Sequence, residues 1–296
     1  MLLAAAMPAA AADLTASGFA DFSLVQPSDQ QSRLDGGLGK LRYGSTGDPG
    51  PQLQLEGYGR YRRIEIPALE WQFKLGAFFP PISLENQEIG WTSPWTITPS
   101  AINSWVGEEP RTIGDETSLE RRSGTGSPGW YGAVAWRADG LGRLTVLRYD
   151  NRADPTAIRQ GQIAWHTQFT SVGAEGDIGE VVILTQGMVG DTEIDPSIHF
   201  HLATHFQAAY LLAGWNVGDW TLAGRTDAFA TRTLVDPDLN EHGRALTFDL
   251  IWRPASWLRL SSEALWLDSS RDQRADDGEA PHQIETQFQF SARLIY

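Results

Sequence analysis

Apolar and polar residues alternate along most of this chain. From Thr286 to Tyr296 one parity reads Thr286, Phe288, Phe290, Ala292, Leu294 and Tyr296, and the other Gln287, Gln289, Ser291, Arg293 and Ile295. Successive side chains of a strand point to opposite faces, so this stretch predicts a strand with one greasy and one polar face. The same period appears near the start, where Ala20, Phe22 and Leu24 alternate with Asp21 and Ser23. It recurs where Leu53, Leu55 and Tyr61 alternate with Gln54, Glu56, Arg60 and Arg62. Leu69, Trp71, Phe73 and Leu75 then alternate with Glu70, Gln72 and Lys74.

Residues 79–129 interrupt the pattern with a stretch rich in Pro, Gly, Ser, Thr and Trp, in which Thr98-Pro99 suggests the start of a short helix. Strands resume over 130–138 and 141–149, flanking the tight-turn pair Asp139-Gly140. Thr167 and Phe169 alternate with His166 and Gln168; Val181, Ile183, Thr185 and Val189 mark the next strand. Phe206, Ala208, Tyr210 and Leu212 alternate with His201, Ala203, His205 and Gln207. Three more strands carry polar faces of Thr221, Arg225 and Asp227, of Thr247, Asp249 and Arg253, and of Arg259, Ser261 and Glu263. The expected arrangement throughout is apolar outward, charged inward.

The breaks alternate in length. Those at 63–67, 139–140, 172–178, 217–219 and 254–256 are short, whereas those at 26–51, 79–129, 151–158, 190–198, 234–243 and 269–283 are mostly longer and acidic. Short turns on one side and long loops on the other predict an all-β fold, a transmembrane antiparallel up-and-down β-barrel of about 12 strands, or 14. Trp130, Trp136, Trp215, Trp220, Trp252, Trp257 and Trp266 fall near segment ends, where an interfacial girdle places aromatics. No apolar run reaches the roughly 18 residues of a transmembrane helix.

Composition narrows the partners. The 296 residues carry a net charge of −14, which argues against nucleic acid, and contain no Cys, which excludes disulfides and thiolate chemistry. Residues 1–12 are apolar, end in small residues and read as the remnant of a secretory signal, leaving 13–296 as a single barrel exported through the periplasm.

Phe78-Phe-Pro-Pro-Ile-Ser-Leu-Glu-Asn86, Trp91-Thr-Ser-Pro-Trp95, Thr98–Glu108 and Leu34–Lys40 resemble words of an uncharacterised family of proteobacterial porin-like outer-membrane proteins, near the phosphate-selective porin-like group. The aromatic end at Tyr296 is similar to the C-terminal strand of Gram-negative outer-membrane barrels. The resemblance implies an outer-membrane location and a passive channel for small hydrophilic solutes or ions. Expected partners are outer-membrane lipid and lipopolysaccharide, the barrel-assembly machinery, those solutes and a second copy in a homo-oligomer. Phe288, Phe290, Leu294 and Tyr296 then form the assembly signal. No catalytic motif and no cofactor come with the family.

The inward parity collects Asp21, Glu56, Glu70, Asp227, Asp249 and Glu263 against Arg60, Arg62, Lys74, Arg225, Arg253, Arg259 and Arg293. Such rings set ion selectivity in an open lumen, or pair off to fill a closed one. Their near balance argues against strong anion selectivity. The long segment 79–129 is expected to fold into the lumen, bringing Trp91, Trp95, Trp105, Glu108 and Glu109 to a constriction, since its aromatics are costly to leave in water. His199, His201 and His205 share one face and offer a weak metal reading, without a carboxylate partner evident. A closed structural or adhesive barrel, and a lipid hydrolase using a Ser–His pair, are the alternatives; no nucleophile motif supports the second.

Overall fold

A computed structural model describes residues 13–26, 50–62, 82–87, 93–105, 129–138, 140, 142–159, 162–197 and 200–295. They are almost wholly β: β1 (Asp13–Gln26), β2 (Gly50–Arg62), β3 (Trp130–Ala138), β4 (Gly142–Asp150), β5 (Ile158–Arg159), β6 (Gln162–Ile163), β7 (His166–Ile178), β8 (Val181–Ser197), β9 (Phe200–Val217), β10 (Trp220–Thr233), β11 (Glu241–Ala255), β12 (Leu258–Arg271) and β13 (His282–Ile295). A five-residue helix, α1 (Ala101–Trp105), begins just after Pro99, where the sequence signals it. Among the described residues no helix is long and apolar enough to cross a membrane.

Eleven strands form one antiparallel sheet in the order β2-β1-β13-β12-β11-β10-β9-β8-β7-β4-β3, while β5 and β6 make a separate small hairpin. The first and last strands pair, with Asp21 opposite Arg293. The sheet therefore winds in chain order from β3 round to β13 and then on to β1 and β2. The expected strand over Leu69–Leu75 lies outside the described residues.

Connections alternate. Two-residue turns join β7 to β8, β9 to β10 and β11 to β12, whereas 151–165, 234–240 and 272–281 form longer links. Gly179 and Gly218 sit at the tight turns with φ of 65° and 58°, a conformation open to glycine and strained for residues with a Cβ. Three expectations on loops need correcting. The turn expected over 172–178 lies at 179–180, because β7 runs on to Ile178. Residues 190–198 are not a long loop, because β8 continues to Ser197 and β9 begins at Phe200; the alternation fades there, and Pro196 falls inside a register shift. The link expected over 151–158 extends to 165 and carries β5 and β6. Pro254, which has no N–H for the ladder, likewise lies in a register shift of β11.

Burial is inverted relative to a soluble sheet. Phe248, Phe288 and Phe290 are 60–65% exposed, whereas Arg225, Asp227, Asp249, Arg259 and Glu263 are at most 3% exposed. Along β10, β11 and β13 the two classes alternate residue by residue. One sheet face is thus apolar and open, and the other is charged and enclosed. That is how a barrel in lipid distributes its residues.

Candidate functional site: an interior segment between two unlike walls

Residues 82–87 and 93–105 lie against the enclosed face of the sheet. Ile82, Trp95, Ala101 and Ile102 are buried in one cluster with Leu147 and Tyr149 of β4, Phe169 of β7, Leu184 and Met188 of β8, and Phe206, Tyr210 and Leu212 of β9. Tyr149 and Phe169 stack with ring centroids 5.0 Å apart. On this side of the interior the wall is apolar, and the segment presents its own apolar residues to it. Small residues allow the close approach: a Cβ on Gly214 would overlap the indole of Trp95, and one on Gly173 would come within 2.6 Å of Leu84 Cδ1.

The opposite wall, β10 to β12, is charged and grips the segment's backbone. Arg225 is central, with no side-chain exposure. Its Nε donates to Asp227 at 2.7 Å, its Nη1 to Thr98 O at 2.7 Å and Thr96 Oγ1 at 2.9 Å, and its Nη2 to Pro99 O at 3.0 Å. Glu85, also fully buried, pairs with Arg225 at 3.4 Å. Glu85 also accepts from Ser100 N at 2.9 Å and Asn103 Nδ2 at 2.6 Å. Asp227 accepts from Ala101 N at 2.9 Å. Two carboxylates thereby satisfy amide groups at the start of α1, which the helix itself leaves without partners.

Glu263 of β12 accepts from Ile97 N at 2.7 Å and from Thr98 N at 3.0 Å, and Asp249 of β11 accepts from Ile97 N at 3.2 Å. Arg253 donates to Pro94 O at 2.9 Å and Arg259 to Ser93 O at 3.3 Å. The carboxylates therefore meet N–H groups and the arginines meet carbonyls along one stretch of backbone. On the apolar side Gln186 does both, accepting from Leu84 N at 2.8 Å and donating to Ile82 O at 2.7 Å.

Of the inward candidates read from the sequence, Arg225, Asp227, Asp249, Arg253, Arg259, Glu263 and Arg293 share the enclosed face, and the first six line β10 to β12 beside the segment. The backbones of Glu56, Arg60 and Arg62 lie in β2, whereas Glu70 and Lys74 fall outside the described residues. Trp95 is 7% exposed inside the apolar cluster, and Trp105 ends α1; Trp91, Glu108 and Glu109 are outside the described residues. Phe288, Phe290 and Leu294 lie on the open face, and Tyr296 falls outside the described residues.

Two strands reverse the expected facing. On β9 it is Phe206, Ala208, Tyr210 and Leu212 that turn inward, and His201, His205 and Gln207 that face out. On β7, Thr167 and Phe169 turn inward. The cause is the segment itself, which needs an apolar wall to pack on. On β8 the facing is as expected, with Val181, Ile183, Thr185 and Val189 outward and Leu184, Gln186 and Met188 inward. The β9 histidines are accordingly not lumen residues. His201 lies 3.6 Å from Glu193 and His205 2.9 Å from Asp191, each with its own carboxylate, while His199 is outside the described residues. No group of three metal-ligating side chains occurs among the described residues.

Glu85, Gln186 and Thr96 carry no site signal in the sequence, and Thr98 is marked there only as the start of a short helix. Glu85 sits in the Phe78–Asn86 word, but neither charge nor spacing marks it there.

Along β13 the inward row is Gln283, Glu285, Gln287, Gln289, Ser291 and Arg293. Gln287 Nε2 and Gln289 Nε2 are buried and have no hydrogen-bond partner among the described residues.

No protein-family model and no curated protein matches this sequence. Solved structures do match its shape. An anion-selective porin from Comamonas acidovorans aligns with a TM-score of 0.51 at 14% identity, covering 97% of this chain and 100% of that one. The outer-membrane expressed OmpT of Vibrio cholerae aligns with a TM-score of 0.50 at 11% identity, covering 98% and 99%. The chain has the fold of outer-membrane, porin-like β-barrels.

Proposed function

We propose that the protein is an outer-membrane channel for passive diffusion of small hydrophilic solutes or ions, narrowed from within by residues 82–87 and 93–105. The inverted burial pattern supports the membrane setting, and the fold shared with porin-like barrels fits it. Strand direction also fits: ten antiparallel steps separate β2 from β3, so the two run the same way. Closing the ring antiparallel then takes an odd number of further strands, which the 12 or 14 expected from the sequence would meet. The even totals of bacterial outer-membrane barrels agree.

The observation that favours a channel over a sealed barrel is the polar row on β13. Buried amides take water where no protein group meets them, and the Nε2 groups of Gln287 and Gln289 have no partner among the described residues, which supports a hydrated path beside the segment over a dry plug. Against them, the fully buried Arg225 network favours a closed structural barrel on the β10 side. Conductance in planar bilayers decides between these readings. Discrete channels from folded protein support diffusion, and a silent, heat-modifiable barrel supports the closed form. The mixed signs of the interior predict weak selectivity, in contrast to the anion-selective structural neighbour and the phosphate-selective group.

A further inference from the structure

The open face carries a groove of about 470 Å³ along β12. Its floor is made of the small residues Ser262 and Ala264, its walls of Phe248 and Leu250 on β11 and Phe288 and Phe290 on β13. The register explains the shape. Phe248 and Phe288 flank Ala264 in one row, and Leu250 and Phe290 flank Ser262 in the next. Large residues on both neighbours of a small-residue strand leave a trough.

The walls stand two strand spacings apart, about 9.5 Å, which leaves room between the rings for a hydrocarbon chain but not for a helix of roughly 10 Å diameter. The groove points along β12 toward the long-loop end. There it meets Trp266, with the Arg244 guanidinium 5.8 Å from the centre of its ring. Arg244, about 70% exposed, is held by two hydrogen bonds to Asp268 at 3.0 and 3.1 Å, and His282 lies 2.8 Å from the same carboxylate. His242 is exposed two residues from Arg244 on the same face of β11. Arg244 lies four residues from Phe248, roughly 13 Å along the strand, within the reach of an acyl chain.

The opposite end of these strands has a different chemistry. There Trp220 and Trp252 stack at 5.5 Å, and Trp215 and Trp257 are exposed beside them. One rim of the apolar band is thus aromatic, and the other offers guanidinium and imidazole groups above a chain-sized trough.

We infer that this face binds a phosphate-bearing lipid of the outer leaflet, with one acyl chain in the β12 groove and its phosphate at Arg244, His242 and His282. The inference rests on the membrane-spanning reading above. Arg244 provides the charge-assisted donor that a phosphate takes, with Asp268 fixing its orientation.

The test uses full-length protein folded in detergent, incubated with bis-phosphorylated lipid A or with its dephosphorylated form carrying the same chains, and read by native mass spectrometry. The phosphorylated lipid should be retained about tenfold better, in line with the loss of one charged hydrogen bond in the other form. Arg244→Gln should abolish that preference while leaving weak retention of both lipids. Ala264→Phe, which fills the trough from the lipid side, should reduce retention of both. Equal retention of the two lipids by the native protein overturns the headgroup assignment, and unchanged retention in Ala264→Phe overturns the groove. Dimers or trimers that Ala264→Phe dissociates would make a second copy the occupant and overturn the lipid. Liposome insertion of all three proteins is measured alongside. Failure of the native protein to insert refutes the membrane reading itself, whereas insertion without lipid preference refutes this site alone.

Discussion

Replacing Arg225 by Met tests whether the interior segment is fastened by charge. Met keeps much of the side-chain volume but removes the guanidinium and every bond it makes. Asp227 and Glu85, both without side-chain exposure, would then be buried carboxylates without their cation. Removing one member of a buried ion pair costs about 3–5 kcal/mol, because the remaining charge is left uncompensated. Here the cost falls on the closed arrangement. Once residues 93–101 move off the wall, water can reach Asp227 and Glu85. The equilibrium for local release should therefore rise by roughly 10²- to 4 × 10³-fold.

The amides that report this release are specific. Ile97 and Thr98 donate to Glu263, Ser100 to Glu85 and Ala101 to Asp227. Hydrogen exchange on the folded protein in detergent should show these four amides losing protection in Arg225→Met, while the ladders of β10 to β13 keep theirs. In bilayers the same variant should show larger or more frequently fluctuating conductance. Adding Asp227→Asn and Glu85→Gln removes the stranded charges and should recover most of the protection. If exchange at the four amides changes less than about threefold in Arg225→Met, charge does not fasten the segment, and the apolar wall holds it alone.

Three further outcomes follow from the same geometry. Gly214→Val places carbon where the Trp95 indole packs and should destabilise the fold by about 1–3 kcal/mol, read as a lower temperature of the heat-modified gel shift, whereas Gly224→Ala, with only Phe248 carbons near 3.7 Å, should leave it unchanged. Phe290→Lys puts a charge on the open face in the middle of β13 and should cost about 2–4 kcal/mol in liposome folding titrations, whereas Gln289→Lys, whose register partner is Glu263, should be tolerated; equal effects would refute the assignment of faces. Asp249→Asn with Glu263→Gln removes two negative charges from the interior, so the reversal potential in a potassium chloride gradient should move toward the chloride equilibrium; an unchanged value would place these residues off the ion path.

The strands from β10 to β13 were legible because polar and apolar residues occupy opposite parities there. The rule that charge faces inward then assigned Arg225, Asp227, Asp249, Arg259 and Glu263 in one step. The same rule misplaced β7 and β9 because their enclosed face meets the apolar residues of the segment rather than a polar lumen, so Phe169, Phe206, Tyr210 and Leu212 are drawn inward. Period-2 alternation reveals that a strand has two faces, but it cannot name the enclosed one when each meets hydrocarbon. Tyr210 and His205 illustrate this: alternation put the imidazole inside, and the structure puts the phenol there.

The unlike walls also explain why the interior segment can sit inside a barrel at all. A polar, proline-interrupted backbone has few internal hydrogen bonds, and enclosing it costs its unpaired N–H and C=O groups unless the wall supplies partners. Glu263, Asp249, Asp227 and Glu85 supply acceptors to Ile97, Thr98, Ser100 and Ala101, and Arg225, Arg253 and Arg259 supply donors to Ser93, Pro94, Thr98 and Pro99. The apolar wall then buries Trp95 and Ile102, which the charged one could not receive. The near balance of inward charges is thus a consequence of gripping a backbone that presents both N–H donors and carbonyl acceptors to the wall. An interior selected only for anion capture would lack the carboxylate half of that set, and a fixed segment held this way narrows the lumen without giving it a strong sign.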